Sequence, residues 1–241
     1  MAARGAERRL NAHHLYRIKR WDAELPISSL SYARVGPVHF QPLEWELAPV
    51  RKYMRGDLLN AGCGDRDISG ILRTMGAATV TNVDIQSNIP QAVLSSLDRM
   101  PFADLSFDTI LCNAVLEHVE SIDGVMAELV RVLRGGGRMI ISIPFLQPFH
   151  ESPSDFRRYT AEGMRQLGEA HGLRMIAIRP VHSIAQTLGW IVWEYLNEID
   201  ARLRKAICWP IIWLATRWSC RGNQRALRSA NTLQAVYEKA V

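Results

Sequence analysis

Two stretches of this 241-residue chain combine residue types and spacings that could do chemistry. The first is LLNAGCGDRD, residues 58–67, where an apolar run ends in Gly62, Cys63 and Gly64 and charged residues follow. A strand that ends in Gly-x-Gly turns sharply and leaves no Cβ between the backbone and a ligand. Asp84 closes a second apolar run, TNVDI, 20 residues after Gly64. An acid at that distance suits the hydroxyls of a ribose, so the pair points to a ribose-bearing cofactor. The second stretch is PFLQPFHESPSDFRRYT, residues 144–160, dense in polar and aromatic groups. A histidine titrates near neutrality, which makes His150 the candidate general base. Asp155 would orient it or accept a bond from a sugar hydroxyl, and Arg157, Arg158 and Tyr159 would hold a polar or anionic acceptor. The plainer alternative is that His150 braces the loop and Asp155 pairs with Arg158.

Both stretches need a scaffold, and the surrounding pattern supplies one. DLLNAG, ATVTNVDI, FDTILCNA and RMIISIP read as buried strands, with DISGILRTMG and DGVMAELVRVLR as the helices between. Strands alternating with helices are the signature of a parallel sheet with crossover connections. The first of these helices would start near Asp67 and aim its free amides at the ligand space. Val125, Met126, Leu129, Val130 and Leu133 follow helical spacing, and Gly135 to Gly137 read as the stop, supplying positive φ. Residues 144–160 then follow the carboxyl end of a strand, where open α/β sheets place their ligands.

The segment MPFADLSFDTILCNAVLEHV, residues 100–119, followed by RVLRGGG and IISIPF, resembles the class I S-adenosylmethionine-dependent methyltransferases, type 11-like. The resemblance covers about residues 55 to 165. It implies a Rossmann-like α/β fold with a mostly parallel seven-stranded sheet flanked by helices, and S-adenosylmethionine as cofactor. It also implies roles for individual residues. Asn60, Ala61, Gly62, Cys63 and Gly64 would pack against the methionine part, Asp84 would bind the ribose, and Ile85 would cover the adenine. Ser96 stands where relatives carry an acid near the adenine amino group, with the Leu97 amide as the substitute contact. Asn113 and Ala114 would contribute backbone contacts to the methionine moiety. Asn60 replaces an acid and Arg66 replaces a third glycine, so the ammonium group would meet an amide rather than a charge. Phe102 and Phe107 are expected in the core, with Asp108 setting the start of its strand. Glu117 and His118 would cap or orient the following helix, with His118 a lesser candidate for touching substrate. The 150–160 segment looks more loosely like methyltransferases of bacterial surface-glycan and lipid-linked saccharide pathways.

Composition bounds the remaining choices. Three units are expected: a helical and irregular lead-in over 1–50, a core over 51–182, and a tryptophan-rich basic helical extension over 183–241. A helix is expected near 8–22. Formal charge is +5 over residues 1–20, +6 over 200–241 and −6 between them. An acidic body with basic ends disfavours nucleic acid in the main groove, because neutralising phosphates needs a basic face. No apolar run approaches a membrane span, and the expected compartment is the cytoplasm, including the inner face of the membrane as a peripheral protein. Cys63, Cys112, Cys208 and Cys220 show no paired spacing, so neither a disulfide framework nor a metal is expected. Five of the seven tryptophans lie within 190–218, where Pro210 begins or kinks a helix. A membrane-surface helix, a cap over the acceptor pocket and a homodimer seam all fit this region.

The leading expectation is a methyltransferase acting on a hydroxyl of a sugar or lipid-linked saccharide. Its rivals are methylation of a small aromatic or isoprenoid metabolite, and a cofactor-binding scaffold without catalysis. A nicotinamide enzyme would want the third glycine that Arg66 replaces.

Overall fold

The computed structural model describes residues 36–150, 154–199, 202–219 and 227–241. The helix expected near 8–22 lies outside them. Seven strands form one sheet: β1 (Gly56–Ala61), β2 (Ala77–Asp84), β3 (Val93–Leu94), β4 (Phe107–Asn113), β5 (Leu133–Pro144), β6 (Leu173–Val181) and β7 (Thr232–Lys239). Their spatial order is β3-β2-β1-β4-β5-β7-β6. All pairings are parallel except those of β7, which runs antiparallel between β5 and β6. The chain therefore leaves β1 toward one edge of the sheet and returns at β4 toward the other. The carboxyl ends of β1 and β4 flank this reversal, where open α/β sheets leave a crevice.

The helices are α1 (Leu43–Leu47), α2 (Ser69–Thr74), α3 (Ile122–Val132), α4 (Ala161–Ala170), α5 (Ile184–Glu198) and α6 (Arg202–Ser219). Alternation along the strands feeds two cores. Leu59, Ile110, Ile141 and Ala235 meet Met126 and Leu129 of α3 and Met164 of α4 on one face. Leu58, Leu111, Ile140 and Val236 meet Leu43, Leu47 and Leu72 on the other. Phe102 and Phe107 stack edge to face within the first of these, at 5.1 Å. Asp108 accepts the Asp57 N–H at 2.9 Å and pairs with Arg134 at 2.6 Å, fixing where β1 and β4 begin.

Several expectations need correction. The extension over 183–241 is helical only through α5 and α6, and its last stretch is β7. Leu233, Ala235 and Tyr237 face one core and Val236 the other, so the strand is buried on both sides where it fills the gap between β5 and β6. The boundary at residue 50 also fails, because Leu43, Leu47 and Val50 are part of the core beneath β1. Helix α2 begins at Ser69, after Asp67 has accepted the Ser69 N–H at 2.9 Å. Helix α3 ends at Val132 and passes directly into extended chain. The positive φ at Gly136 belongs to the irregular start of β5, not to the helix end. Pro210 does not begin α6 but lies inside it.

A second small core joins the amino-terminal segment to the helical hairpin. Val38 and Phe40 pack with Trp190 of α5 and Ile212 of α6. His39 N–H donates to Thr216 Oγ1 at 3.0 Å, and Gln186 Nε2 donates to the His39 carbonyl at 3.1 Å. Phe40 also lies edge-on to His182, 4.8 Å between centroids. His182 Nε2 sits 3.2 Å from Glu46 Oε1, and both side chains are buried. Arg179 Nη1 donates to the Glu46 carbonyl and to Gln234. Burial pushes Glu46 up to about 8, against the opposing pull of Arg179 and with Glu44 adding to it. Burial, then the Arg179 guanidinium, pushes His182 down to about 3.

These shifts set a pH dependence. Glu46 holds a proton in the folded state that it releases near 4.5 when unfolded, so its contribution to stability is lost as pH rises toward about 8. His182 acts only on the acid side, where stability falls as pH drops below about 6.5. Between pH ~6.5 and ~8.5 the wild-type protein should therefore lose denaturant stability. Glu46→Gln, which keeps the shape and cannot ionise, should flatten the curve in that window and extend the acid limb up to pH ~6.5, because the opposing Glu46 slope no longer cancels that of His182.

Candidate active site

The site starts at the reversal of β1. Gly62 adopts φ +73° and Gly64 φ +59°, conformations that cost residues with a Cβ. Gly62 N–H and Cys63 N–H both donate to the Val83 carbonyl, at 2.8 and 3.1 Å. Gly64 N–H donates to Asp84 Oδ2 at 2.8 Å, and Gln86 N–H to Asp84 Oδ1 at 3.1 Å. Ser87 Oγ closes the turn by donating to the Gly64 carbonyl at 2.6 Å.

The two glycines serve different ends. A Cβ on Gly62 would lie 2.3 Å from Val115 Cγ2, so this glycine lets the loop after β4 close onto the turn. A Cβ on Gly64 would meet nothing within 4 Å, so this glycine faces open space. Ile85, the apolar residue directly after Asp84 at the carboxyl end of β2, is 66% exposed. Each Asp84 oxygen accepts one backbone N–H and has lone-pair capacity left for a ribose hydroxyl. A nucleoside fits these residues: an open glycine backbone, an acid and an apolar face.

The other predicted cofactor residues divide. Ala61 is a buried strand residue of β1. Asn60 is buried and its Nδ2 donates to Asn82 Oδ1 at 2.9 Å, while Asn82 Nδ2 donates to Ser69 Oγ at 3.0 Å. Its amide thus ties β1 to β2 and α2, a use that an acid could not fill because Nδ2 is the donor. Leu97 is core, and Ser96 is exposed in the loop after β3. Asn113 ends β4, and Ala114 follows with φ +56° and its N–H on the Ser142 carbonyl.

Facing the turn is a second layer built from two crossing segments. Phe156 N–H donates to the Glu117 carbonyl at 2.8 Å, and Arg157 donates to the carbonyls of Leu116 and Glu120. Asp155 is buried, its side chain 1% exposed. It accepts the His150 N–H at 2.8 Å and both terminal nitrogens of Arg158, whose guanidinium also reaches the Gln147 and Pro148 carbonyls. Burial alone would raise this carboxyl. The Arg158 and His150 bonds outweigh it and hold Asp155 down at about 2.

Asp155 pairs with Arg158, the plainer alternative read from the sequence, and Arg157 fastens the loop to the 116–120 segment. Tyr159 packs against the main core with its N–H on the Pro144 carbonyl. His150 and His118 are the predicted acceptor residues brought together, their rings edge to face at 5.4 Å. Trp190 of the helical hairpin lies 5.4 Å from the His150 ring, so the cap borders the site. Burial lowers His150 from its ordinary value, with the Arg158 and His118 charges acting in the same direction against Pro148 and Asp155. Glu117, expected only to orient a helix, is buried at the same place, and burial pushes its carboxyl up to about 7. Its signal was present in the LEHV motif, but its inward aim depends on the turn after β4.

A seven-stranded sheet with β7 reversed and a glycine turn at its switch point defines the class I S-adenosylmethionine-dependent methyltransferase fold. Residues 59–141 match the family model described as a methyltransferase domain. A ubiquinone/menaquinone biosynthesis C-methyltransferase of Klebsiella pneumoniae subsp. pneumoniae is 29% identical over 120 residues, covering 41% of this chain and 47% of that protein. A demethylmenaquinone methyltransferase of Tropheryma whipplei is 32% identical over 111 residues, covering 39% and 46%. The chain thus spans about half the length of these curated relatives. Among solved structures, the Burkholderia thailandensis 1,6-didemethyltoxoflavin-N1-methyltransferase aligns with TM-score 0.54 at 16% identity, covering 82% of this chain and 80% of that one. The [4+2]-cyclase SpnF aligns with TM-score 0.53 at 17% identity, covering 82% and 81%. These likenesses establish the fold, which hosts more than one chemistry.

The two glycines should separate in mutagenesis. Gly62→Ala combines a disfavoured φ with overlap on Val115 and should cost about 2–5 kcal/mol of stability. Gly64→Ala carries only the backbone term, about 1–2 kcal/mol, and should leave a folded protein that no longer takes up a nucleoside cofactor. Thermal unfolding with and without ligand distinguishes the two.

Proposed function

We propose that this protein is an S-adenosylmethionine-dependent methyltransferase acting on a hydroxyl of an amphipathic acceptor, a sugar or lipid-linked saccharide. The observation that carries the reading is the open Gly64 backbone, hydrogen-bonded to Asp84 and followed at the end of β2 by the exposed Ile85. When bound, S-adenosylmethionine supplies a methyl group on a sulfonium already activated by its own charge. The protein then has two tasks, alignment and removal of the hydroxyl proton.

His150 is built for the second task. Its Nδ1 lies 3.0 Å from the Pro148 carbonyl and 3.4 Å from Arg158 Nη2; the shorter contact favours a proton on that nitrogen and a lone pair on Nε2. The lowered proton affinity of the ring keeps it neutral at physiological pH and ready to accept. Asp155 positions it through the backbone and through Arg158. The acceptor's hydroxyl proton would pass to His150 Nε2 as its oxygen takes the methyl group.

The amphipathic character of the acceptor is supported by the helical hairpin. Leu203, Ile207, Ile211, Leu214 and Trp218 of α6 are 58–85% exposed, alongside Arg202, Arg204, Lys205 and Arg217. Apolar and basic groups on one exposed helix suit an anionic membrane surface. Among the described residues no helix is long and apolar enough to cross a membrane. The proposal includes peripheral attachment at the inner face of a membrane, next to a lipid-linked substrate, and rests on these exposed apolar and basic groups of α6. The similarity to quinone C-methyltransferases favours a second reading, in which the acceptor is an isoprenoid-bearing ring and the methyl group goes to carbon.

Calorimetry with S-adenosylmethionine, S-adenosylhomocysteine and NAD tests the cofactor. Binding of the first two and not the third, weakened at least ~30-fold in Asp84→Ala by the loss of two charge-assisted hydrogen bonds, is the expected result. Binding of NAD alone would refute the reading. Transfer of labelled methyl to a saccharide-bearing lipid fraction, lost in His150→Ala, would support the hydroxyl acceptor, and label on a quinone fraction would favour the second reading.

A further inference from the structure

Glu117 has a property that loop bracing does not explain. Its side chain is 0% exposed, and neither carboxylate oxygen has a hydrogen-bond partner. A buried carboxylate without donors is costly unless a proton or a cation joins it. A neighbouring histidine does not supply a hydrogen bond, because His118 Nε2 lies 3.8 Å from Glu117 Oε1, beyond hydrogen-bond length.

Both histidines turn Nδ1 to a backbone carbonyl, His118 to that of Ser154 and His150 to that of Pro148, while Arg158 Nη2 also stands 3.4 Å from His150 Nδ1. A carbonyl only accepts, so these bonds favour the tautomer with the proton on Nδ1 and Nε2 as a lone pair. Backbone carbonyls on the far ring nitrogen are the usual second-layer support of a metal-ligating histidine. One ligand atom from each of Glu117, His118 and His150 lies within 4.8 Å of the others. Three electron-pair donors thus converge with no donor hydrogen among them, and small side-chain rotations would draw them onto one centre.

We propose that Glu117, His118 and His150 form a binding site for a divalent transition-metal ion. Two imidazoles and one carboxylate suit zinc, cobalt or iron(II), and suit magnesium or calcium poorly, because those ions prefer all-oxygen shells. Three protein ligands leave coordination positions open. Those positions would face the space beside the Gly62 turn, since Val115, two residues before Glu117, packs on Gly62. Binding of the ion stands independently of methyl transfer. Its task of holding an acceptor oxygen and stabilising that oxygen's deprotonated form rests on the proposed function, and in that state His150 is a ligand and solvent takes the proton. The cysteine spacing that argued against a metal could not expose this site, because its ligands are a Glu-His pair and a histidine 32 residues away.

The test is titration of the chelator-stripped full chain with cobalt(II), followed by visible absorption and zinc competition, with magnesium as a control. Wild type should bind one equivalent with ligand-field bands of low coordination number, displaced by zinc and not by magnesium. His150→Ala and Glu117→Gln should each weaken binding at least ~10-fold. Replacing His13 and His14 together, the adjacent histidines of the amino-terminal sequence, should change nothing. Absence of the bands, or bands unaffected by both site variants in protein with wild-type circular dichroism, would overturn the proposal. S-adenosylmethionine binding is measured on the same samples. Cofactor binding without cobalt sinks the metal site alone, and cobalt binding without cofactor sinks the methyltransferase reading alone.

Discussion

The hydrogen bond from Gly64 N–H to Asp84 joins the carboxyl ends of β1 and β2, and the ligand-facing surface depends on it. It converts a floppy glycine turn into a fixed one, with the open backbone on one side and the carboxylate on the other. Positive φ at Gly62 and Gly64 is affordable only because neither carries a Cβ, and the two Val83-carbonyl bonds hold the strain in place. Val115 seats on Gly62, so the position of the β4 loop, with Glu117 and His118, is inherited from that turn.

Charge in this molecule is used mostly for fastening. Arg134 bridges Asp57 and Asp108 at the amino ends of β1 and β4. Arg131 ties Glu128 and Asp104 to the carbonyls of Met100 and Phe102 and so holds the loop before β4. Arg158 does the same for the loop that carries His150. In each case one planar guanidinium satisfies several acceptors at once. The site itself is comparatively poor in paired charge, and its free lone pairs stand out against that background.

The helical hairpin links the periphery to this site. Trp190 packs between Phe40 and His150, and the 38–40 segment pins α5 to α6. Through Trp190, α5 therefore connects the small core around Phe40 and Ile212 to the His150 loop.

The sequence by itself determined the sheet-and-helix order, the glycine turn, Asp84 and the core phenylalanines, because period and turn chemistry are local properties. The LEHV and SFD motifs carried the family likeness for the same reason. Tertiary structure alone decided where β7 goes, since TLQAVYEK reads as a strand only once a gap between β5 and β6 awaits it. It also decided that Asp155, Arg157 and Arg158 are spent on the loop, and that Asn60 is spent on Asn82. A polar side chain's role depends on which partners reach it first, and those partners lie as far off as 41 residues in Arg157's case. Glu117, His118 and His150 become one cluster only because two loops separated along the chain cross above the carboxyl end of β4.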